Sequence, residues 1–291
     1  MDFLWDAAAN LLDGAIGNDE LSKLRDLLTF TGSNYQFTQF WDIVNELLEI
    51  VTPFGFAMIT TWFLIHMFDA ASKDQISIDS IIKTLIQLVL AVALVGNLTL
   101  IVNSFLKISE TMFSSIALGD NTVSINGAEI VEIWKANSPG GWLGALWDAF
   151  LLNILSTVSS IAIQFAALSR MLEMAWRIVF APIGCSNVFE GGASSPGVKY
   201  LKSLFGVIIS SVALYVVAAT GYSLSSVFLT SGETSAYEIL ANADAVINYG
   251  ADAIYTTVQT MNNSLLTSGA TLLATAGAAI GISNKIKEVV G

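Results

Sequence analysis

Few side chains in this sequence are of the types that carry out catalysis. The chain has 291 residues but only one histidine, His66, and one cysteine, Cys185. The sequence has no Cys/His cluster with metal-ligand spacing, no P-loop and no nucleophile elbow. A single cysteine also excludes an intramolecular disulfide. We therefore expect neither an enzyme nor a metal or cofactor site.

Three charged residues separate two apolar runs within the stretch from Ser169 to Gly192. Arg170 comes three residues before Glu173, and Glu173 comes four before Arg177. At this spacing the three side chains share one helix face and can form a ladder of ion pairs. The ladder is either a basic anchor with a surface ion pair, or a structured mouth that contacts a partner or a passing substrate. The sequence leaves both interpretations open.

The residues after the ladder predict an interruption of the helix. Pro182 breaks the helix, and Gly191 with Gly192 forms a turn before the chain becomes apolar again. The intervening run "IVFAPIGCSNVF" is too short to cross a bilayer, so it fits an interfacial or re-entrant segment. Lys199 and Lys202 follow the turn and add to the basic character of this region.

The composition predicts the elements that hold these residues. The chain is 54% hydrophobic and 12% charged, whereas soluble domains are about 25% charged. Continuous apolar runs of roughly 20 residues indicate transmembrane helices. We expect an all-α, polytopic integral membrane protein with amphipathic outer helices, in which 1–49 is an extracytoplasmic helical subdomain and 50–291 a transmembrane domain. The predicted spans are about 51–68, 84–102, 149–168, 207–229 and 265–282.

Basic residues predict the orientation of these spans. Cytoplasmic segments of membrane proteins are enriched in Lys and Arg. The orientation that agrees best with this rule has the N-terminus outside and the C-terminus inside. It places 169–204 in the cytoplasm, and 103–148 and 230–264 outside. The cytoplasmic side then holds Lys73, Lys83, Arg170, Arg177, Lys199, Lys202, Lys285 and Lys287. Most acidic residues of this chain of net charge −12 fall on the outer side.

Two further patterns concern helix packing. The third predicted span carries a polar stripe at spacings of four, three and four: Asn153, Thr157, Ser160 and Gln164. This stripe either makes hydrogen bonds between helices or lines an aqueous path. In the fifth span, Gly277 and Gly281 form a Gly-x-x-x-Gly pair, which allows close packing against another helix, and a second copy of the protein is one candidate partner.

The block from Arg170 to Lys202 resembles the TrbL-like polytopic membrane subunits of type IV secretion and conjugation systems. The resemblance rests on the ladder, the "APIG" break, the turn at Gly191 and Gly192, and "KYLK". It looks closest to versions carried by mobile elements of Gram-positive bacteria. The block covers roughly 35 residues, and the number and order of the predicted spans agree elsewhere.

The resemblance implies a non-enzymatic subunit of a channel in the bacterial cytoplasmic membrane. Such a channel translocates single-stranded DNA with its attached relaxase out of the donor cell. Its partners would be other type IV secretion membrane subunits and separate ATPases. One bundle of five helices has no room for DNA, so we expect a homo-oligomeric ring. Two alternatives stay open: a secondary transporter or ion channel for a small solute, and a purely structural factor of the mating apparatus.

Overall fold

The computed structural model confirms an all-α fold. It describes residues 2–16, 24, 27–28, 35–72, 78–116, 127–137, 142–188, 194–241 and 243–290. No strand occurs in these ranges. The helices are α1 (Asp2–Ile16), α2 (Tyr35–Ser72), α3 (Ile78–Gly96), α4 (Leu98–Ser115), α5 (Gly127–Asn137), α6 (Trp142–Val179), α7 (Ala181–Cys185), α8 (Pro196–Ala241) and α9 (Ala243–Val290).

Several of these helices are long and apolar enough to cross a membrane. Four such stretches lie in the described residues: Gln39–Ser72, Trp142–Val179, Pro196–Thr230 and Asn262–Ile282. On α6, large apolar side chains at helical spacing are exposed, as on a surface that meets lipid or another protein: Trp147, Phe150, Ile154, Val158, Ile161 and Phe165. These features are those of a multi-pass membrane protein.

The second predicted span is divided by a helix break at Asn97. The amide nitrogen Nδ2 of Asn97 donates a hydrogen bond to the carbonyl oxygen of Ala93 at 2.7 Å. A side-chain bond of this kind competes with the regular backbone ladder, and the neighbouring Gly96 offers little resistance to bending. The segments Ile81–Gly96 and Leu98–Ser115 are inclined by 56°, and they provide a fifth span only when they are counted together.

The chain divides into two compact units, of which the first comprises Met1–Arg25, Ala117–Ala166 and Leu214–Gly281. Its core joins α1 and α5 to the N-terminal part of α6, and consists of Trp5, Ala8, Leu12, Ile130, Val131, Trp134, Ala145, Ala149, Leu152, Leu229 and Leu265. Asp13 Oδ1 accepts a hydrogen bond of 2.7 Å from the backbone N–H of Gly127. A carboxylate is favourable there because the first amides of a helix lack partners within the helix.

The second unit comprises Asp26–Ile116, Ala167–Ala213 and Ile282–Gly291. Its core brings together residues of α2, α3, α4, α6, α7 and α8, among them Val44, Leu48, Ile59, Ala91, Val95, Leu98, Val102, Met174, Ile178, Ala181, Cys185, Leu204 and Ile208. The charge ladder and the helix break that follows it belong to this unit.

One contact within the second unit bears on the predicted membrane topology. The rings of Phe105 and Phe205 lie with their centroids 4.9 Å apart. The predicted span boundaries put Phe105 just outside the membrane and Phe205 just inside it, which would separate them by about 30 Å of hydrocarbon. Hydropathy locates the apolar run of the second span but does not reveal the break at Asn97. The contact is therefore inconsistent with the predicted placement of 103–148 outside and 169–204 in the cytoplasm at these boundaries. The sides on which the two chain ends lie stay a prediction.

Candidate functional site at the α6–α8 break

The charge ladder forms as its spacing predicts. Arg170 Nη1 donates to Glu173 Oε2 at 2.5 Å, and Arg177 Nη2 donates to Glu173 Oε1 at 3.1 Å. A single carboxylate therefore pairs with two guanidinium groups, one on each oxygen. The side chains of Arg170, Glu173 and Arg177 are only 12%, 16% and 16% exposed. The ladder is thus largely buried, and its burial raises the energetic importance of the pairing.

Arg177 also links α6 to the start of α8. Its Nη1 donates a hydrogen bond of 2.5 Å to Ser203 Oγ, and its backbone carbonyl accepts one of 2.7 Å from the hydroxyl of Tyr200. Ser203 and Tyr200 are three residues apart on α8, so they lie on the same helix face. These partners, 26 and 23 residues away in sequence, were not identified from the sequence because no local spacing relates them to Arg177.

The break after the ladder is a short buried helix. Helix α6 ends at Val179, Phe180 makes a turn, and α7 begins with Ala181 and Pro182. Pro182 stands in the first turn of α7, where its missing N–H costs no helical hydrogen bond. Ala181, Pro182 and Cys185 are all buried. Helix α6 thus ends three residues before Pro182, whereas Gly191 and Gly192 lie outside the described residues.

Glycines allow the backbone to approach α7 closely. A Cβ atom at Gly55 of α2 would lie 2.8 Å from both Cβ and the carbonyl oxygen of Pro182. One at Gly184 would lie about 2.5–2.6 Å from the ring of Tyr200, and one at Gly197 would lie 2.8 Å from Val188. Such distances are too short for any side chain. Helix α7 is therefore held tightly between α2 and the start of α8.

Cys185 is buried at the end of α7, with no exposed surface. Burial disfavours the charged thiolate and raises the pKa of the thiol from 9.0 to about 12. The thiol is consequently neutral at physiological pH. It behaves as a small apolar side chain and is not a candidate nucleophile.

Lys199 and Lys202 occupy the first turns of α8 and are exposed to solvent. Lys199 is four residues before Ser203, so it lies on the helix face next to the partner of Arg177. The five charged residues predicted for this region are thus of two kinds. Arg170, Glu173 and Arg177 are paired with one another, and the two lysines are available to a partner.

The polar stripe on α6 does not form one continuous surface. Asn153 Nδ2 donates to the carbonyl oxygen of Leu11 at 2.8 Å and so connects α6 to α1. Thr157 is exposed, and Gln164 Nε2 donates to Ser160 Oγ at 3.1 Å within the same helix. Asn153 therefore has a packing role in this chain. Whether the other members line an aqueous path stays a prediction.

Helices α8 and α9 pack through small residues other than the predicted pair. A Cβ atom at Gly221 would overlap the side chain of Thr275. The hydroxyl oxygens of Ser225 and Ser268 are 2.5 Å apart. Gly221 and Ser225 are four residues apart, a small-x-x-x-small spacing that favours close helix packing. By contrast, a Cβ at Gly277 or Gly281 would meet no atom within 4 Å. Contact of these two glycines with a second copy stays a prediction.

The arrangement at the α6–α8 break consists of a paired charge ladder, a short buried helix and two exposed lysines. Within the ranges that the structure describes, no group of three or more His, Cys, Asp or Glu side chains could hold a metal ion. Comparisons of the chain with protein-family models, with curated proteins and with solved structures found no match.

Proposed function

We propose that this protein is an oligomeric channel or scaffold subunit of a conjugative type IV secretion system in the bacterial cytoplasmic membrane. In this proposal the N-terminus lies outside and the C-terminus in the cytoplasm. The protein assembles with further copies of itself and with other membrane subunits of the system. It takes part in the export of single-stranded DNA bound to a relaxase, and separate ATPases supply the energy.

The block from Arg170 to Lys202 carries the proposal, because it is the part that resembles TrbL-like subunits. In it, a charge ladder, a buried break and the return of the chain into α8 are joined by hydrogen bonds. A basic cluster at the adjoining ends of two long apolar helices is a suitable docking point for a cytoplasmic ATPase. The exposed Lys199 and Lys202 supply positive charge that attracts a polyanion.

A purely structural role in the mating apparatus is the second candidate. It is favoured by one observation: Arg170 and Arg177 are bonded to Glu173 and Ser203 within the chain. Because their Nη atoms already make hydrogen bonds within the chain, these arginines do not offer those atoms to a phosphate. On this account the subunit holds the apparatus together and DNA passes elsewhere.

Conjugation frequency tests the proposal directly. A donor with an in-frame deletion of the gene should transfer DNA several decades less often, and complementation in trans should restore transfer. Unchanged transfer in the deletion strain would refute both the channel and the scaffold role. Complementation with Lys199→Glu plus Lys202→Glu should lower transfer at normal protein abundance, whereas Lys83→Glu, which changes another exposed lysine, serves as the matched control.

Crosslinking separates the two roles. A photoreactive amino acid in place of Lys202 should capture the transferred strand during conjugation if the subunit lines the path of DNA. Capture of protein partners alone, in a strain that transfers DNA normally, would assign the subunit a scaffold role.

A further inference from the structure

Helix α4 carries an exposed polar face beside the core of the second unit. Exposed polar side chains recur on it every four residues: Thr99, Asn103, Lys107 and Thr111. The opposite face consists of buried residues: Leu98, Val102, Ser109 and Phe113. A groove of about 540 Å³ opens on the polar face next to the helix break and is lined in part by Asn97, Asn103 and Lys107. The side of α4 that faces away from the core is therefore mainly polar, the reverse of a helix that contacts lipid.

Contacts around the α6–α8 break bring the end of α3 close to the start of α8. A Cβ atom at Gly96, the last residue of α3, would lie 3.9 Å from the ring of Phe56. One at Gly55, the neighbour of Phe56, would lie 2.8 Å from Pro182 of α7. Helix α7 in turn contacts the start of α8 through the ring of Tyr200. The end of α3, the short helix α7 and the start of α8 therefore lie at one level.

Helices α4 and α8 advance together from this level. Phe105 lies nine residues beyond the end of α3, and its ring centroid is 4.9 Å from that of Phe205, nine residues beyond the first residue of α8. Helix α8 contains one of the stretches that can cross a membrane, and it has no charged residue over 205–230. Lys107 and Thr111, which follow Phe105 on α4, accordingly lie beside this run, at the depth of the membrane.

Lipid is an unfavourable neighbour for the polar face at that depth. An ammonium group in hydrocarbon is costly, and ionisable side chains within spans nearly always face a bundle interior or a water-filled cavity. Lys107 and Asn103 are exposed, so the interior of their own bundle does not cover them. An apolar strip beside the polar face suits lipid, since Ile108 and Met112 are 47% and 40% exposed. Helix α4 thus has one side for lipid and another for water.

We propose that the polar face of α4 forms one wall of a water-filled path at the depth of the membrane. Amide, hydroxyl and ammonium groups line this wall, and they suit hydrated polar or anionic solutes. Ile108 and Met112 border the lipid next to it. The inference deepens the proposed channel role and rests on it for the identity of the solute that passes. The presence of water along α4 does not depend on that role.

Cysteine accessibility in the full-length protein tests the path. Single cysteines in a Cys185→Ala background are treated, in lipid vesicles, with a charged thiol reagent that does not cross membranes. The matched controls are Ile108→Cys and Met112→Cys on the apolar strip of the same helix. Asn103→Cys and Lys107→Cys should react at least about tenfold faster than these controls, because the reactive thiolate forms in water and hardly at all in hydrocarbon. The unfolding transition of each variant reports whether its fold persists.

Spin labels on the apolar strip test whether α4 lies inside the membrane. Ile101 and Met112 are eleven residues apart, so the depth measured by collision with oxygen and with a nickel chelate should change by up to about 16 Å between them. A common depth of about 5–10 Å, as in a helix that lies along the bilayer surface, would overturn the proposal.

Two other outcomes separate this inference from the proposed function. Equally slow reaction of all four cysteines would overturn the water-filled path, because lipid or a second copy then covers the polar face, and it would leave the effect of a gene deletion on DNA transfer unaffected. Fast reaction of Asn103→Cys and Lys107→Cys, in a protein whose deletion leaves DNA transfer unchanged, would support the path and refute the secretion role alone.

Discussion

Replacement of Glu173 by glutamine probes the centre of the ladder. Glu173 pairs with Arg170 and Arg177 at once, so Glu173→Gln breaks both ion pairs while keeping the size of the side chain. Removal of one partner from a buried pair costs ~3–5 kcal/mol, and an exposed pair contributes only ~0–1 kcal/mol. The three side chains are 12–16% exposed, so the cost should be closer to that of a buried pair than to that of an exposed one. Because glutamine still accepts a hydrogen bond, we expect a loss of about 2–3 kcal/mol in the free energy of unfolding.

The assay is equilibrium unfolding of the purified protein in mild detergent. Glu46→Gln on α2 is a matched control, because Glu46 is an exposed carboxylate, and its loss should change the free energy of unfolding by less than about 0.5 kcal/mol. Arg170→Gln should cost less than Glu173→Gln, since Glu173 then keeps Arg177 as its partner. A Glu173→Gln variant as stable as the Glu46→Gln control would refute the conclusion that the ladder is buried and structurally coupled.

Three further predictions concern other parts of the fold. Because burial raises the pKa of the Cys185 thiol to about 12, maleimide should label it slowly at pH 7 in the folded protein and rapidly after unfolding. The contribution of the neutral thiol to the free energy of unfolding is complete below about pH 9 and is lost as the pH rises towards 12. Gly221→Val should reduce stability by about 1–3 kcal/mol through overlap with Thr275, whereas Gly277→Val, with open space around it, should leave monomer unfolding unchanged and reduce the oligomer in light scattering. Cysteines in place of Phe105 and Phe205, in a Cys185→Ala background, should be joined by a short bifunctional thiol reagent within one chain; their separate labelling from opposite sides of intact cells would contradict the contact.

Local patterns in the sequence determine part of this structure. The positions of Arg170, Glu173 and Arg177 at intervals of three and four are sufficient to predict the ladder, and the apolar runs are sufficient to predict an all-α membrane protein. These features depend on neighbours along one helix. Proline at 182 predicts the end of α6 for the same reason, since it affects the backbone of its own turn.

The partners that complete the site depend on packing between distant segments. No periodicity relates Arg177 to Ser203, or Gly55 to Pro182, because their proximity results from how α7 turns between α2 and α8. The break at Asn97 is also not visible in hydropathy, which averages over a window and treats a bent helix like a straight one. For the same reason the packing of Gly221 against Thr275 appears only once α8 and α9 are placed side by side.

The hydrogen bonds of α1 have a consequence for how the protein is made. Asp13 caps a helix 114 residues further on, and Leu11 accepts its bond from an asparagine 142 residues further on. At a synthesis rate of 5–20 residues per second, these partners leave the ribosome roughly 6 to 28 seconds after α1. Throughout that interval Trp5 and Leu12 lack the core that buries them in the finished protein. A newly made α1 therefore exposes these apolar side chains to its surroundings until α6 has been synthesised.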